Sequence, residues 1–424
     1  MQLRRAKPIR NAVTAMTAAL LGTGLAGAAD QNQNDFSVLE YSEPNGIRAT
    51  EGILSLNKQW KTVNNFGFRF TYDGLTGATP NGGVPSGRAQ TFTRPSGRGS
   101  YTVPAGAIPM DHSFHDNRVA FDLNLSRPLG RMSTVNAGAH LSLEHDYSSI
   151  GVSGGLTRDF NHKNTALGTS LSYSHDAVSP VGGFRVPFSS MPAPVAGQRR
   201  GNRGSKPKQV YDAVLTLTQV LDRNTLFRLN YSFDRSTGYL PDPYKLLSLV
   251  LPQDSVNAGD AVDYLYENRP STRNKNAIYS QLRHYMWGNA VDVSYRYFWD
   301  TWGIRSHTGE LLFDWQVGRD KSLVPHIRWY HQSAADFYRL FLVQGAPLPA
   351  YASADTRLAR FSALTFGLEY RFPVFSRIQM GISGEYYFQL IDRSPPEAFG
   401  SLRGLNLIPK TDALMFRMTF EHGL

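Results

Sequence analysis

Cysteine is absent from all 424 residues. That excludes disulfides, thiol nucleophiles and thiolate metal ligands together, and with them a lipid-modified cysteine behind a leader. Long apolar runs are missing too: past residue 29 no stretch has the roughly 18 apolar residues that a membrane-crossing helix needs. Charge of one sign is scarce. Four of the 44 Lys and Arg (Arg4, Arg5, Lys7 and Arg10) precede the first apolar stretch, so the rest of the chain carries 40 against 34 Asp and Glu, a net +6. A surplus that small gives no reason to expect a nucleic-acid partner. Ser and His are plentiful, but no HExxH occurs, so a non-enzymatic protein is expected.

What is present begins with an export signal. In MQLRRAKPIRNAVTAMTAALLGTGLAGAA the basic residues lead into a short apolar stretch that ends in small residues. A signal peptide over 1–28 is expected, with one mature domain over 29–424. An exported chain without a spanning helix can still live in a membrane, but only as a closed β-barrel.

The rest of the chain alternates. In RVAFDLNLSR (118–127), Val119, Phe121, Leu123 and Leu125 share one face, while Arg118, Asp122, Asn124 and Ser126 share the other. Period two is the signature of a strand with one greasy and one wet side. Sixteen such segments are read: 35–41, 47–58, 66–76, 117–126, 132–145, 149–160, 164–175, 209–221, 225–236, 276–287, 290–299, 304–316, 323–332, 359–372, 378–390 and 412–421. Short links such as PLGR, DRN and WGN alternate with tight turns or long loops, and every long loop (77–116, 176–208, 237–275, 333–358, 391–411) falls on the same parity. That is the meander of an outer-membrane barrel with long extracellular loops, and a sandwich has no reason to keep it.

The polar faces point the same way. Arg69, Asp122, Glu144, Arg228, Asp292, Arg296, Glu310, Asp314, Arg328, Glu369 and Arg371 all fall on the side opposite the apolar residues. A soluble core cannot hold such a layer of charge, whereas a water-filled lumen can. Trp60, Tyr147, Trp299, Trp302 and Trp329, near strand ends, suit interfacial girdles against outer-membrane lipid. The expectation is an all-β, antiparallel transmembrane barrel of about sixteen strands in the bacterial cell outer membrane.

Several phrases resemble an uncharacterised family of bacterial outer-membrane proteins, domain of unknown function 3570. They are DGLTGATPNG (73–82), YTVPAGAIPMDHSFHDNR (101–118), DYSSIG (146–151), DFNHKNT (159–165) and VGGFRVPF (181–188). The resemblance implies a barrel and carries over no catalytic residue. Family genes that neighbour FMN transferases, small lipoproteins and thioredoxin-like proteins imply extracytoplasmic redox work. A channel or a scaffold is therefore expected, with a periplasmic or surface lipoprotein or redox partner under the scaffold reading.

Four local features stand apart. DGLTGAT (73–79) resembles the D-x-x-[S/T]-G-A-[T/S] motif of proteins that carry FMN covalently on the final hydroxyl. By that resemblance Thr79 is the acceptor and Asp73 helps organise the site; a glycine-rich turn is the competing reading. DHSFHD places Asp111, His112, His115 and Asp116 within six residues, a donor set for a divalent metal if the loop turns them together, and a solvated loop otherwise. The basic loop 177–208, with Arg185, Arg199, Arg200, Arg203, Lys206 and Lys208 and no acid, suits lipopolysaccharide phosphates or an acidic partner, with a solvated loop as the competing reading. Within 237–275, YKLLSLVL (244–251) is an apolar patch that seeks cover in the lumen or on another protein.

Overall fold

In the computed structural model the described residues run from 33 to 423, apart from 45, 61–63, 96–98, 194–203 and 376. The signal peptide and its boundary at residue 28 lie outside them, as do Arg199, Arg200 and Arg203. First come β1 (Gln33–Ser42), β2 (Ile47–Trp60) and β3 (Asn64–Pro80), then two short strands, β4 (Gln90–Thr93) and β5 (Ser100–Val103). β6 (Met110–Leu129), β7 (Ser133–Glu144), β8 (Tyr147–Phe160), β9 (Thr165–Val178), β10 (Lys206–Val220) and β11 (Thr225–Gly238) follow. Two more short strands, β12 (Leu246–Val250) and β13 (Ala261–Tyr266), precede β14 (Thr272–Met286), β15 (Asn289–Asp300), β16 (Arg305–Gly318) and β17 (Lys321–Gln332). Last are β18 (Phe341–Val343), β19 (Phe361–Phe375), β20 (Ile378–Leu390) and β21 (Asp412–Gly423).

Sixteen of these strands pair antiparallel into a closed barrel. β1 seals it against β21, with Gln33 opposite Gly423 and Ser42 opposite Leu414. Closure leaves no unpaired edge, so the barrel wall satisfies its own backbone groups. The alternation then sorts the side chains. Along β6, Phe121, Leu123 and Leu125 are exposed on the outside, where Phe121 meets Phe70 of β3 with ring centroids 5.4 Å apart. Their neighbours Arg118, Asp122 and Asn124 line the inside. Across the seam, Phe36 and Phe420 stack on the outer surface at 6.4 Å.

Turn chemistry fits its place. Trp287 and Gly288, both at positive φ, join β14 to β15 in a two-residue hairpin of the type that the right-handed strand twist favours. The wall extends further than the alternation suggests: β3 reaches Pro80 and β6 starts at Met110. At the rim a bulge falls between Gly77 and Thr79. Gly77 has φ +125°, and a Cβ there would lie 2.3 Å from the Gly46 carbonyl oxygen, so the motif's second glycine is a backbone requirement of the rim.

The long loops fold together. β12 is the middle strand of a three-stranded sheet with β13 and β18. Val84, Val250, Leu402, Leu407 and Ile408, from three separate connections, form one apolar cluster, and Leu247, Leu265, Leu342, Ala352 and Ala354 form another. YKLLSLVL has thus found its cover within the chain, as the core of a cap at the long-loop end. Two girdle assignments need correction. Trp302 is buried, with its indole N–H donating to the Thr272 carbonyl and the Arg273 guanidinium over its ring. Tyr147 donates its hydroxyl to the buried Asp176, and along β8 it shares the parity of Gly151 and Ser153, which line the lumen. Trp329 does lie on the outer face, stacked on His307 and His331. Trp299 stacks on Tyr297 in the same outer group, and the Trp60 side chain is outside the described residues.

A closed barrel resists detergent until heated, because no strand can peel away without breaking two ladders. Unheated and boiled samples should run at different positions on an SDS gel, and identical mobility would refute closure.

Candidate functional site

The barrel encloses a lumen of about 3660 Å³. Arg69, Asp122, Glu144, Arg228, Arg296, Arg328, Glu369 and Arg371 all line it. Its walls differ. On β7 to β9 the inward positions are mostly small: Gly138, Gly151, Ser153, Gly155, Gly168, Ser170 and Ser172. On β14 to β21 they are large and charged. There Arg371 pairs with Glu369 at 2.7 Å and with Asp314 at 3.5 Å. His326 sits between Glu310 (2.9 Å) and Glu385 (3.8 Å). On the opposite side His140 meets Asp122 at 2.7 Å.

At the long-loop end the lumen meets the underside of the cap, where Asp242, Tyr244, Arg269, Asp355 and Arg357 line it. Arg269 lies 2.6 Å from Glu267 and 2.8 Å from Asp355. Arg357 reaches Asp355 at 2.6 Å and Asp242 at 2.7 Å. Ser353 donates its hydroxyl to Glu267. Two guanidinium groups thus tie the third long connection, between β11 and β14, to the fourth, between β17 and β19. Tyr244 donates its hydroxyl to Asp146 and fastens the cap to the β7–β8 turn.

These charges set a pH window for the cap. Burial alone would raise Asp242 and Asp355, but Arg357, with Arg269 and Lys245, outweighs it and holds both below the ordinary 3.8, Asp355 well below. Their contribution to stability is present above 3.8 and lost as the pH falls through those depressed values. Burial pushes Glu267 up to about 6, with Arg269 opposing. Its contribution is complete below the ordinary 4.5 and lost as the pH rises through about 6. Loop proteolysis should therefore be slowest between 3.8 and 4.5, quickening as the pH rises from there through about 6 and as it falls below 3.8. A rate set only by the protease's own pH profile would contradict this.

The local motifs fare differently. Asp111, His112, His115 and Asp116 are not brought together, because they lie along the paired strand β6 rather than on a folded loop. Asp111 is buried and accepts from the Ser113 amide (2.9 Å) and hydroxyl (2.7 Å), whereas His112 and His115 are exposed. Asp116 instead meets Glu144 and Asp146, with carboxylate oxygens within 4.8 Å of one another. Sequence spacing could not reveal that meeting, since it comes from the β6–β7 register, Arg118 opposite Glu144.

The DGLTGAT residues lie inside β3 rather than in a loop: Asp73 to Gly77 pair with both β2 and β6, and Thr79 pairs with β6 alone, opposite Asp111. Six residue steps along the extended strand put Asp73 and Thr79 roughly 20 Å apart. Asp73 is buried and ion-paired with Arg118, while Thr79 lines the lumen at the rim. In the folded barrel Asp73 therefore does not help to organise a site at Thr79. In the basic loop, Arg185 stacks over Tyr266 (5.0 Å), and Lys206 lies over Phe184 of the same loop (4.5 Å) and over Tyr239 of the β11–β14 connection (5.1 Å), so these two cations join the two connections.

The family model described as a protein of unknown function (DUF3570) matches residues 10–422. The chain belongs to the DUF3570 family. No curated protein matches this DUF3570 chain. Among solved structures it is similar to a mutant of the ferric enterobactin receptor (PfeA) from Pseudomonas aeruginosa, at 10% identity over 92% of this chain and 59% of the receptor, with a TM-score of 0.47. It is also similar to CdiB from Acinetobacter baumannii, at 6% identity over 93% of this chain and 60% of that one, TM-score 0.48. A bacterial polysaccharide outer-membrane secretin matches at 8% identity over 92% of this chain and 98% of its own, TM-score 0.43. The DUF3570 chain spans about six-tenths of the receptor's length.

Proposed function

We propose that this DUF3570 barrel is an outer-membrane channel whose long-loop mouth is covered by its own loops. One observation carries the reading: a continuous lumen lined with charged and small polar residues ends against a cap that has apolar cores and an ion-paired underside. Water fills a lumen of that polarity, and sixteen strands leave it wide enough to pass small solutes. Outer-membrane lipid covers the apolar exterior. A scaffold for a redox partner, with or without flavin on Thr79, would use the same barrel without passage.

The absence of native cysteine makes the test clean. Ser153→Cys places a thiol in the lumen and Val152→Cys places one on the lipid face. A small membrane-impermeant thiol reagent added to intact cells should label Ser153→Cys slowly, and Val152→Cys not at all. A bulky reagent should label neither. Rapid labelling of Ser153→Cys by the bulky reagent would remove the cap as a barrier. No labelling by the small one, with a flavin band on the purified protein, would favour the scaffold.

A further inference from the structure

We infer that the lumen wall beneath the cap holds a binding subsite for small anions bearing carboxylate or phosphate groups, built on Arg296 and Arg328. The channel reading supplies the solute's route, and the subsite itself stands on four observations.

Register places the residues together. Arg296 of β15 lies opposite Tyr279 of β14 and opposite Thr308 of β16. Thr308 in turn lies opposite Tyr330 of β17. Arg328 precedes Tyr330 by two residues, on the same face, and all four large side chains line the lumen. With strands about 4.8 Å apart and about 6.7 Å between like-facing residues, the two arginine Cα atoms lie about 12 Å apart. Two long side chains can close that gap on one small anion.

Neither guanidinium has an ion pair among the described residues, in contrast to Arg118, Arg269, Arg273, Arg357 and Arg371. The carboxylate directly across from Arg328 is Glu310, and it is turned to His326 instead. Two like charges held half-buried with no carboxylate at ion-pair distance repel each other, and an oxyanion reduces that cost while taking bidentate hydrogen bonds.

The arginine is positioned as well as uncompensated. Arg296 lies over the Phe298 ring at 5.8 Å. Phe298 packs against the cluster of Trp302, Phe337 and Leu358, which belongs to the cap. The subsite therefore lies where the lumen meets the cap. Across the lumen, the Gly and Ser positions of β7 to β9 leave the room that a bound solute needs.

The test is calorimetry on the full mature chain in detergent at low chloride, with citrate and with inorganic phosphate as separate probes. Saturable binding of at least one probe is expected, and the stronger one tells whether carboxylate or phosphate is preferred. The double variant Arg296→Gln/Arg328→Gln should weaken binding at least about tenfold, since each lost charge-assisted pair is worth roughly a factor of ten or more. Arg158→Gln, on the outer surface, should leave it unchanged. If the double variant loses heat-modifiability, each single variant is measured, and each should bind less tightly than the parent. The inference is overturned if heat-modifiable parent protein binds neither probe saturably, or if the arginine variants bind as tightly as the parent. Because binding is read without passage, a failed subsite and a failed channel give different results.

Discussion

Replacing residues 243–267 with a short Gly-Ser linker is expected to raise single-channel conductance in planar bilayers several-fold. That segment carries β12 and β13, and with them Leu247, Val250 and Leu265 of the two apolar clusters. Its loss removes the middle of the cap sheet and leaves β18 without a partner. The barrel wall is untouched, because Thr237 of β11 and Thr272 of β14 already face each other at the base of the loop. Shortening a connection whose ends are held together costs little. The variant should stay heat-modifiable. Unchanged conductance in a heat-modifiable variant would mean that the cap does not limit flow.

The second large effect is expected from Arg269→Met. Arg269 joins Glu267 to Asp355, and its side chain is 9% exposed against 1% and 2% for those carboxylates. Removing the cation leaves Glu267 buried without its ion pair, while Arg357 still holds Asp355, and losing one partner of a buried pair costs about 3–5 kcal/mol. The cap should open far more often than the barrel, so protease should cut the 239–271 and 333–360 connections at least about a hundredfold faster while heat-modifiability persists. Arg305→Met, at an exposed position at the start of β16, serves as the control. Equal cleavage of the two variants would sink the idea that the ion cluster latches the cap.

The barrel was legible because lipid enforces a pattern. Wherever one face of a strand meets hydrocarbon and the other meets water, alternation follows, and Phe121, Leu123 and Leu125 against Asp122 and Asn124 show it. Sixteen segments and the parity of the long loops were readable on that ground. Above the lipid the constraint lapses. β3 past Thr76 and β6 before Asn117 stay hydrogen-bonded to each other, but their side chains no longer alternate, so the strands looked like loop. That is also why DGLTGAT and DHSFHD looked like flexible motifs rather than paired strand.

The cap was half visible. YKLLSLVL stood out as an apolar patch, but its partners, Val84, Leu342, Leu402 and Ile408, are scattered over other connections, and nothing local announces them. The lumen residues were readable one by one from their parity. Which of them find counter-ions was not, because Glu310 serves His326 rather than Arg328 for reasons of side-chain geometry alone. Trp302 and Tyr147 looked like girdle residues because position near a strand end does not say which side of the wall a ring occupies.

The scattered origin of the cap has a consequence for how the protein is made. One cluster needs Val84, from the connection after β3, and Leu407 and Ile408, from the connection just before β21. No part of that core can be completed until nearly every strand has been laid down, and contacts so distant in sequence form late. The second cluster and the ion-paired latch need only the two connections that precede β14 and β19, but this core waits for the last hairpin. The same β21 that seals the wall against β1 brings in the final piece of the cover, so the two are finished together.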